Sequence, residues 1–174
     1  AKRGESYAEA LKDAQDAGFA EADPTEDVSG SDAAAKMALL AMLAFGTWVS
    51  IDDVDYSGID KLALEDIAYA REFDLALKLV GTAEKLPDGS VSVRVHPIFL
   101  PNTHPLANVD GSYNAVTIES PHVEEITLQG PGAGGLPTAS AVLGDVISVL
   151  HGADEPHHAW QTLPKADDVW SAFY

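Results

Sequence analysis

The 174-residue chain contains no cysteine. Disulfides, thiolate metal sites and thiol nucleophiles are therefore excluded, and the composition fits a reducing cytoplasm. Positive charge is scarce: 10 Lys and Arg against 28 Asp and Glu give a net charge of −18. Such a surface repels phosphate backbones and anionic headgroups, which argues against nucleic acid and membranes as partners. Long apolar runs are missing too. The most apolar stretch, Met37 to Phe45, falls short of the roughly 20 residues of a bilayer-spanning helix, and no signal peptide is visible. The histidines form no convincing ligand set, so no metal site is expected; His96 and His104 each precede proline, where the backbone is extended. Trp48 and Met42 fit a core or an interface better than a ligand contact.

What is present is enough apolar residue, 46%, for a globule with a sizeable core. Ser6 and Glu9 form a capping box for an amphipathic helix that Gly18 stops. Ala22 to Gly30 reads as a polar loop broken by Pro24. Ser31 can cap a second helix running to about Phe45, ended by Gly46. Its alanines permit close approach by neighbouring backbones, which predicts a central position. Ala63 to Phe73 is a third helix. Leu75 to Leu86 and Ser90 to Leu100 alternate as strands around Pro87-Asp88-Gly89, a hairpin signal. Ser112 to Glu119 and Val123 to Gln129 are two more strands, Gly130 to Gly135 a tight loop, and Leu136 to Leu150 a fourth helix. Strands in succession flanked by helices predict an α+β sheet domain. Residues 152–168 read as a linker, and Val169 to Tyr174 as the opening of a strand. The chain starts at Ala1 and enters a helical pattern almost at once, so it is expected to be part of a longer protein.

From Ala33 to Thr47 every residue except Lys36 is apolar or small. Asp32 lies four positions before it, on the same helix face and in the favourable order. As a surface pair this is worth only about 0.3–0.5 kcal/mol, and a lysine can snorkel out of a packed helix. Three features argue instead for a site that needs an ammonium group. The helix has no other cation, Glu21, Asp23, Glu26 and Asp27 crowd the preceding loop, and Pro24 with Gly30 would fix that loop's path. The same acids could take a divalent cation, but their spacing departs from a calcium loop and a central lysine repels the ion. Gly130-Pro131-Gly132-Ala133-Gly134-Gly135 contains a Gly-x-Gly-x-x-Gly spacing. No second strand with a ribose-binding acid follows, which excludes a Rossmann unit here. Two readings stay open: a tight strand-to-helix turn, or a loop that lets a cofactor held elsewhere approach closely.

Gly18-Phe19-Ala20-Glu21-Ala22-Asp23-Pro24, followed by Asp27-Val28-x-Gly30-x-Asp32-Ala33-Ala34-x-Lys36, resembles the homoserine dehydrogenase signature. Further landmarks follow in family order: Asp66-Ile67-x-Tyr69-Ala70, Val95-His96-Pro97, His104-Pro105-Leu106-Ala107-Asn108-Val109, Asn114-Ala115-Val116, and Gly130 to Ala141. Coverage runs from about Gly4 to Leu150.

The resemblance implies an enzyme that interconverts L-homoserine and L-aspartate 4-semialdehyde with NAD or NADP, serving threonine, methionine and isoleucine synthesis in the cytoplasm. It implies a mixed β-sheet covered by helices, with residues 1–151 as a catalytic and dimerisation domain. Residues 152–168 would then link to an ACT-like domain beginning at 169–174. By similarity Lys36 is the catalytic acid and base, resting as ammonium, and Asp32 orients it. Glu21 grips the substrate ammonium, supported by Asp27. Gly130, Gly132 and Gly134 lie near the cofactor, which is bound mainly by a nucleotide-binding domain that this sequence lacks, so the piece by itself is expected to be inactive. The competing reading is a non-catalytic dimerising interaction module, which would need neither Lys36 nor a nicotinamide.

Overall fold

The computed structural model describes residues 7–18, 20, 22–152 and 163–165. Two compact units divide the chain: Ala22–Leu100 together with the segment from His158, and Ala1–Glu21 together with Pro101–His157.

In the first unit, α2 (Thr25–Ser29) and α3 (Ser31–Phe45) lead through a 3-10 turn at Ile51–Asp53 to the short strand β1 (Asp55–Tyr56). Helix α4 (Leu64–Glu72) and the strands β2 (Leu75–Lys85) and β3 (Val91–Pro101) follow. The sheet order is β1-β3-β2. β1 runs parallel to β3, with Asp55 opposite Arg94 and Tyr56 opposite Val95. β2 and β3 are joined by a hairpin, a connection too short for anything but antiparallel pairing, so the sheet is mixed. The turn is built as its residues require. Gly89 takes φ 86°, its N–H donates to the Leu86 carbonyl at 2.9 Å, and Asp88 accepts from the Ser90 N–H at 2.9 Å and hydroxyl at 2.6 Å.

Helix α3 is central, as its alanines predict. Ala34, Ala38 and Ala41 are buried and form the core with Val91, Val93 and Val95 of β3. A Cβ on Gly81 of β2 would run into the Met37 side chain, so helix and sheet meet at the closest approach that glycine allows.

Several local features differ from the sequence reading. The expected loop before α3 contains α2, because proline is tolerated at the start of a helix, where its missing N–H costs nothing. Gly30, not Ser31, occupies the cap of α3, and no side chain caps that end. β1 is only two residues long and carries no alternation to read. Trp48 is 58% exposed, so of the two places expected for it, core or interface, the core of this chain is excluded.

Leu163–Lys165 lies against this unit. The Val91 N–H donates to the Pro164 carbonyl at 2.8 Å, the Leu163 N–H donates to the Thr47 hydroxyl at 3.2 Å, and Lys165 pairs with Asp53.

In the second unit, α1 (Tyr7–Asp16), a 3-10 turn at Pro105–Asn108 and the hairpin β4 (Tyr113–Ser120) and β5 (Glu124–Pro131) precede α5 (Gly135–Leu150). The hairpin pairs antiparallel from Tyr113 opposite Pro131 to Ser120 opposite Glu124. The hydroxyls of Thr117 and Thr127 meet across it at 2.9 Å. The capping residue Ser6, most of the expected linker and the expected terminal strand lie outside the described residues. Among the described residues no helix is long and apolar enough to cross a membrane.

Asp53 accepts from Lys165 and from the Ser50 N–H, at 2.9 Å in the latter case, and these two bonds hold its carboxyl below the usual carboxylate range. A lowered folded-state value means stabilisation that is complete above the unfolded value of about 3.9 and is lost as pH falls through the folded value. Asp53→Ala is expected to cost about 1–2 kcal/mol at pH 7. Urea unfolding checks this: the gap to the wild type should shrink below about pH 4, and a gap independent of pH would contradict it.

Candidate active site

The site is built on the corner between α2 and α3. Asp23 accepts from the Thr25 N–H at 3.2 Å and hydroxyl at 2.6 Å. The hydroxyl first, then the N–H, holds its carboxyl below the ordinary range. Glu26 and Asp27 sit in the first turn of α2, where the helix dipole favours negative charge. Gly30, at φ 85°, turns the chain from α2 into α3 in one residue, and its carbonyl accepts from the Ala34 N–H at 2.9 Å.

That corner leans on the loop after β1. A Cβ on Gly30 would come within 3.0 Å of the Ser57 carbonyl oxygen. A Cβ on Gly58 would collide with the Val28 carbonyl and the Ser29 backbone. The Ile59 N–H donates to that same Val28 carbonyl at 2.8 Å. Two glycines thus allow backbone to lie directly on backbone.

Asp32 and Lys36 project from the first turns of α3. The Lys36 ammonium donates to Asp32 Oδ2 at 2.6 Å. Because Ala34, Ala38 and Ala41 face the core, the pair falls on the open side, continued by Leu39, Leu40 and Leu43. The side chains of Lys36 and Asp32 are 59% and 42% exposed. At that exposure the pair adds only about 0.5 kcal/mol to stability. Its chemical content is an ammonium presented at the surface with one carboxylate holding its direction.

The other residues expected in the site are distributed as follows. Asp27 is exposed on α2, one corner away from Asp32. Glu21 lies outside the described residues. Gly130, Gly132 and Gly134 belong to the second unit. Gly130 is paired within β5, opposite Asn114, so the expected tight loop is shorter than its glycines suggest. The Gly132 N–H donates to the Ser112 carbonyl at 2.7 Å, and a Cβ there would strike the Asn114 side chain. Gly134, at φ 125°, begins α5.

Sequence reasoning overlooked the residues that brace the corner: Ser57, Gly58 and, beside Ser57, His96. Val95-His96-Pro97 stood out as a landmark, but no periodicity links it to a loop 39 positions away.

Residues 1–147 match the homoserine dehydrogenase family. The chain belongs to that family. The homoserine dehydrogenase of Corynebacterium glutamicum is 44% identical over 173 residues, which covers 94% of this chain and 39% of the relative. The crystal structure of a homoserine dehydrogenase from Thiobacillus denitrificans superposes with a TM-score of 0.81 at 40% identity, covering 92% of this chain and 38% of that one. A hyperthermophilic archaeal homoserine dehydrogenase in complex with NADPH superposes at 0.67 with 29% identity, covering 85% and 41%. The chain thus spans about two-fifths of the length of the relatives it matches. The match does not favour a non-catalytic interaction module.

The corner generates a comparison between two glycines of positive φ. Gly30 has Ser57 in the way of a side chain, whereas Gly46, at φ 65°, has nothing within 4 Å. Gly46→Ala should cost about 1 kcal/mol from backbone strain, and Gly30→Ala about 2 kcal/mol or more from strain plus the close contact. Thermal unfolding of the two variants checks this; equal losses would contradict the close packing of the corner.

Proposed function

We propose that residues 1–151 form the catalytic and dimerisation domain of a homoserine dehydrogenase. That enzyme interconverts L-aspartate 4-semialdehyde and L-homoserine with NADP or NAD, in the cytoplasmic synthesis of threonine, methionine and isoleucine. Residues 152–168 link it to an ACT-like domain that begins near 169. The observation that carries the reading is the Asp32–Lys36 pair, 2.6 Å apart at the head of α3, in a chain of this family.

In the reducing direction the Lys36 ammonium gives a proton to the aldehyde oxygen while the carbon receives hydride. The product is the alcohol, and the neutral amine regains its proton from water. In the oxidising direction the neutral amine takes the hydroxyl proton as hydride leaves the same carbon. Asp32 holds the Lys36 nitrogen towards the oxygen. Glu21 takes the substrate ammonium, a charge that needs a partner once desolvated, and Asp27 extends the acidic wall. The nicotinamide, when bound, supplies or accepts the hydride.

The glycine-rich turn is compatible with a cofactor at close range. Nothing within 4 Å faces the missing side chain at Gly130 or Gly135, which leaves backbone open to approach. Gly132 and Gly134 instead shape the turn itself. The NADPH bound by the archaeal relative supports a nicotinamide cofactor. Most of its binding falls to a nucleotide-binding domain beyond this chain.

A homodimer is supported by the apolar surface of the second unit. Leu136, Val142, Leu143, Val149 and Leu150 on α5 are all more than half exposed, and Leu128 on β5 is 61% exposed. Patches of this kind mark interfaces.

Replacing Lys36 by alanine in the complete protein tests the reading. Turnover should fall by a factor of about 10²–10⁴, the usual contribution of a positioned acid or base. Thermal stability should change little, because the pair is half exposed. An unchanged kcat would overturn the assignment.

A further inference from the structure

The corner that carries Asp32 and Lys36 has little of its own to hold it. Helix α2 is five residues long, buries none of them, and has no side-chain cap. A helix of that length is not self-supporting. Its position therefore depends on the loop against which it lies, and that loop is fixed by side chains that the proposed mechanism does not use.

β1 and β3 bring three of them together. The Ser57 N–H donates to the Val95 carbonyl at 2.9 Å, extending the β1–β3 pairing by one residue. The next residue of β3 is His96, half-buried, with both ring nitrogens engaged. Nδ1 lies 2.9 Å from the Ser57 hydroxyl and Nε2 lies 3.2 Å from Asp55 Oδ2. A carboxylate can only accept, so Nε2 carries the proton towards Asp55, and in the neutral ring Nδ1 accepts from the Ser57 hydroxyl. Asp55 thus sets the tautomer, and the ring clamps Ser57.

We propose that His96 is a positioning residue for the Asp32–Lys36 pair. It acts through Ser57, whose carbonyl abuts Gly30, and through Gly58 and Ile59, which lie on Val28 and Ser29. The chain of contacts runs from the sheet to the first turn of α3 and ends at the pair itself. Losing the clamp frees the loop and lets the corner shift, which misdirects the ammonium without removing it. The inference rests on the reading of Lys36 as acid and base, and extends it to groups that never touch substrate.

The test is steady-state kinetics of the complete protein, assayed well below the unfolding midpoint of every variant. His96→Leu should lower kcat by about tenfold, less than the hundredfold that an ångström of misplacement costs, with KM little changed. His96→Asn places an amide oxygen where Nδ1 was and still accepts from Ser57; it should keep the rate to within about twofold. Ser57→Ala should match His96→Leu, and the double variant should lose no more than either, because both remove one contact. A merely structural role would give additive losses and no rescue by asparagine. Full kcat in His96→Leu, or failure of asparagine to rescue, overturns the proposal while leaving the Lys36 reading intact. Full turnover in Lys36→Ala overturns that reading and this proposal with it.

Discussion

Helix α3 meets the sheet through alanine, and this contact sets the rotation of the helix about its own axis. Ala34, Ala38 and Ala41 are spaced to form one face, and each is small enough to let the helix pack closely on the sheet, in one core with Val91, Val93 and Val95. Gly81 removes the last obstruction beneath Met37. A larger residue on that face would push the helix outward or roll it, since close-packed interiors do not absorb added volume without strain. Once the face is fixed, the opposite side is fixed as well, and Asp32 and Lys36 can only point away from the core.

The rotation supplies direction, and the glycine corner supplies location. Gly30 and Gly58 remove two side chains from a place where backbone lies on backbone, so main-chain contacts hold the head of α3 together with the buried Ala34. The ion pair itself contributes little stability at its exposure. The unit therefore separates two tasks. Apolar packing keeps α3 in place, while a short, acidic and weakly buried corner presents the charge. The strong excess of acids over bases makes an ammonium here conspicuous: Asp23, Glu26, Asp27 and Asp32 all occur within the residues that lead up to it.

Much of this was legible in the sequence, because local rules govern it. The alanine-rich run of α3 with its Gly46 stop, the i to i+4 spacing of Asp32 and Lys36, and the Pro87-Asp88-Gly89 turn each depend on neighbours along the chain. What escaped depends on partners far away. β1 is a strand only because β3 lies beside it. Helix α2 forms behind a proline that reads as a breaker, and Gly30 caps where Ser31 has the better side chain for it. The brace of His96 on Ser57 joins residues 39 apart, and no pattern along the chain announces it. The family match shows the family that the sequence motifs suggested, while the brace beneath the corner is visible only in three dimensions.

A crystal structure of the complete enzyme with L-homoserine and a nicotinamide cofactor tests the central claim most directly. The account predicts the Lys36 nitrogen at hydrogen-bond distance, about 2.6–3.2 Å, from the substrate hydroxyl oxygen, with Asp32 still accepting from it. A substrate oxygen contacted by a different acid or base, with Lys36 turned out to water, would contradict it.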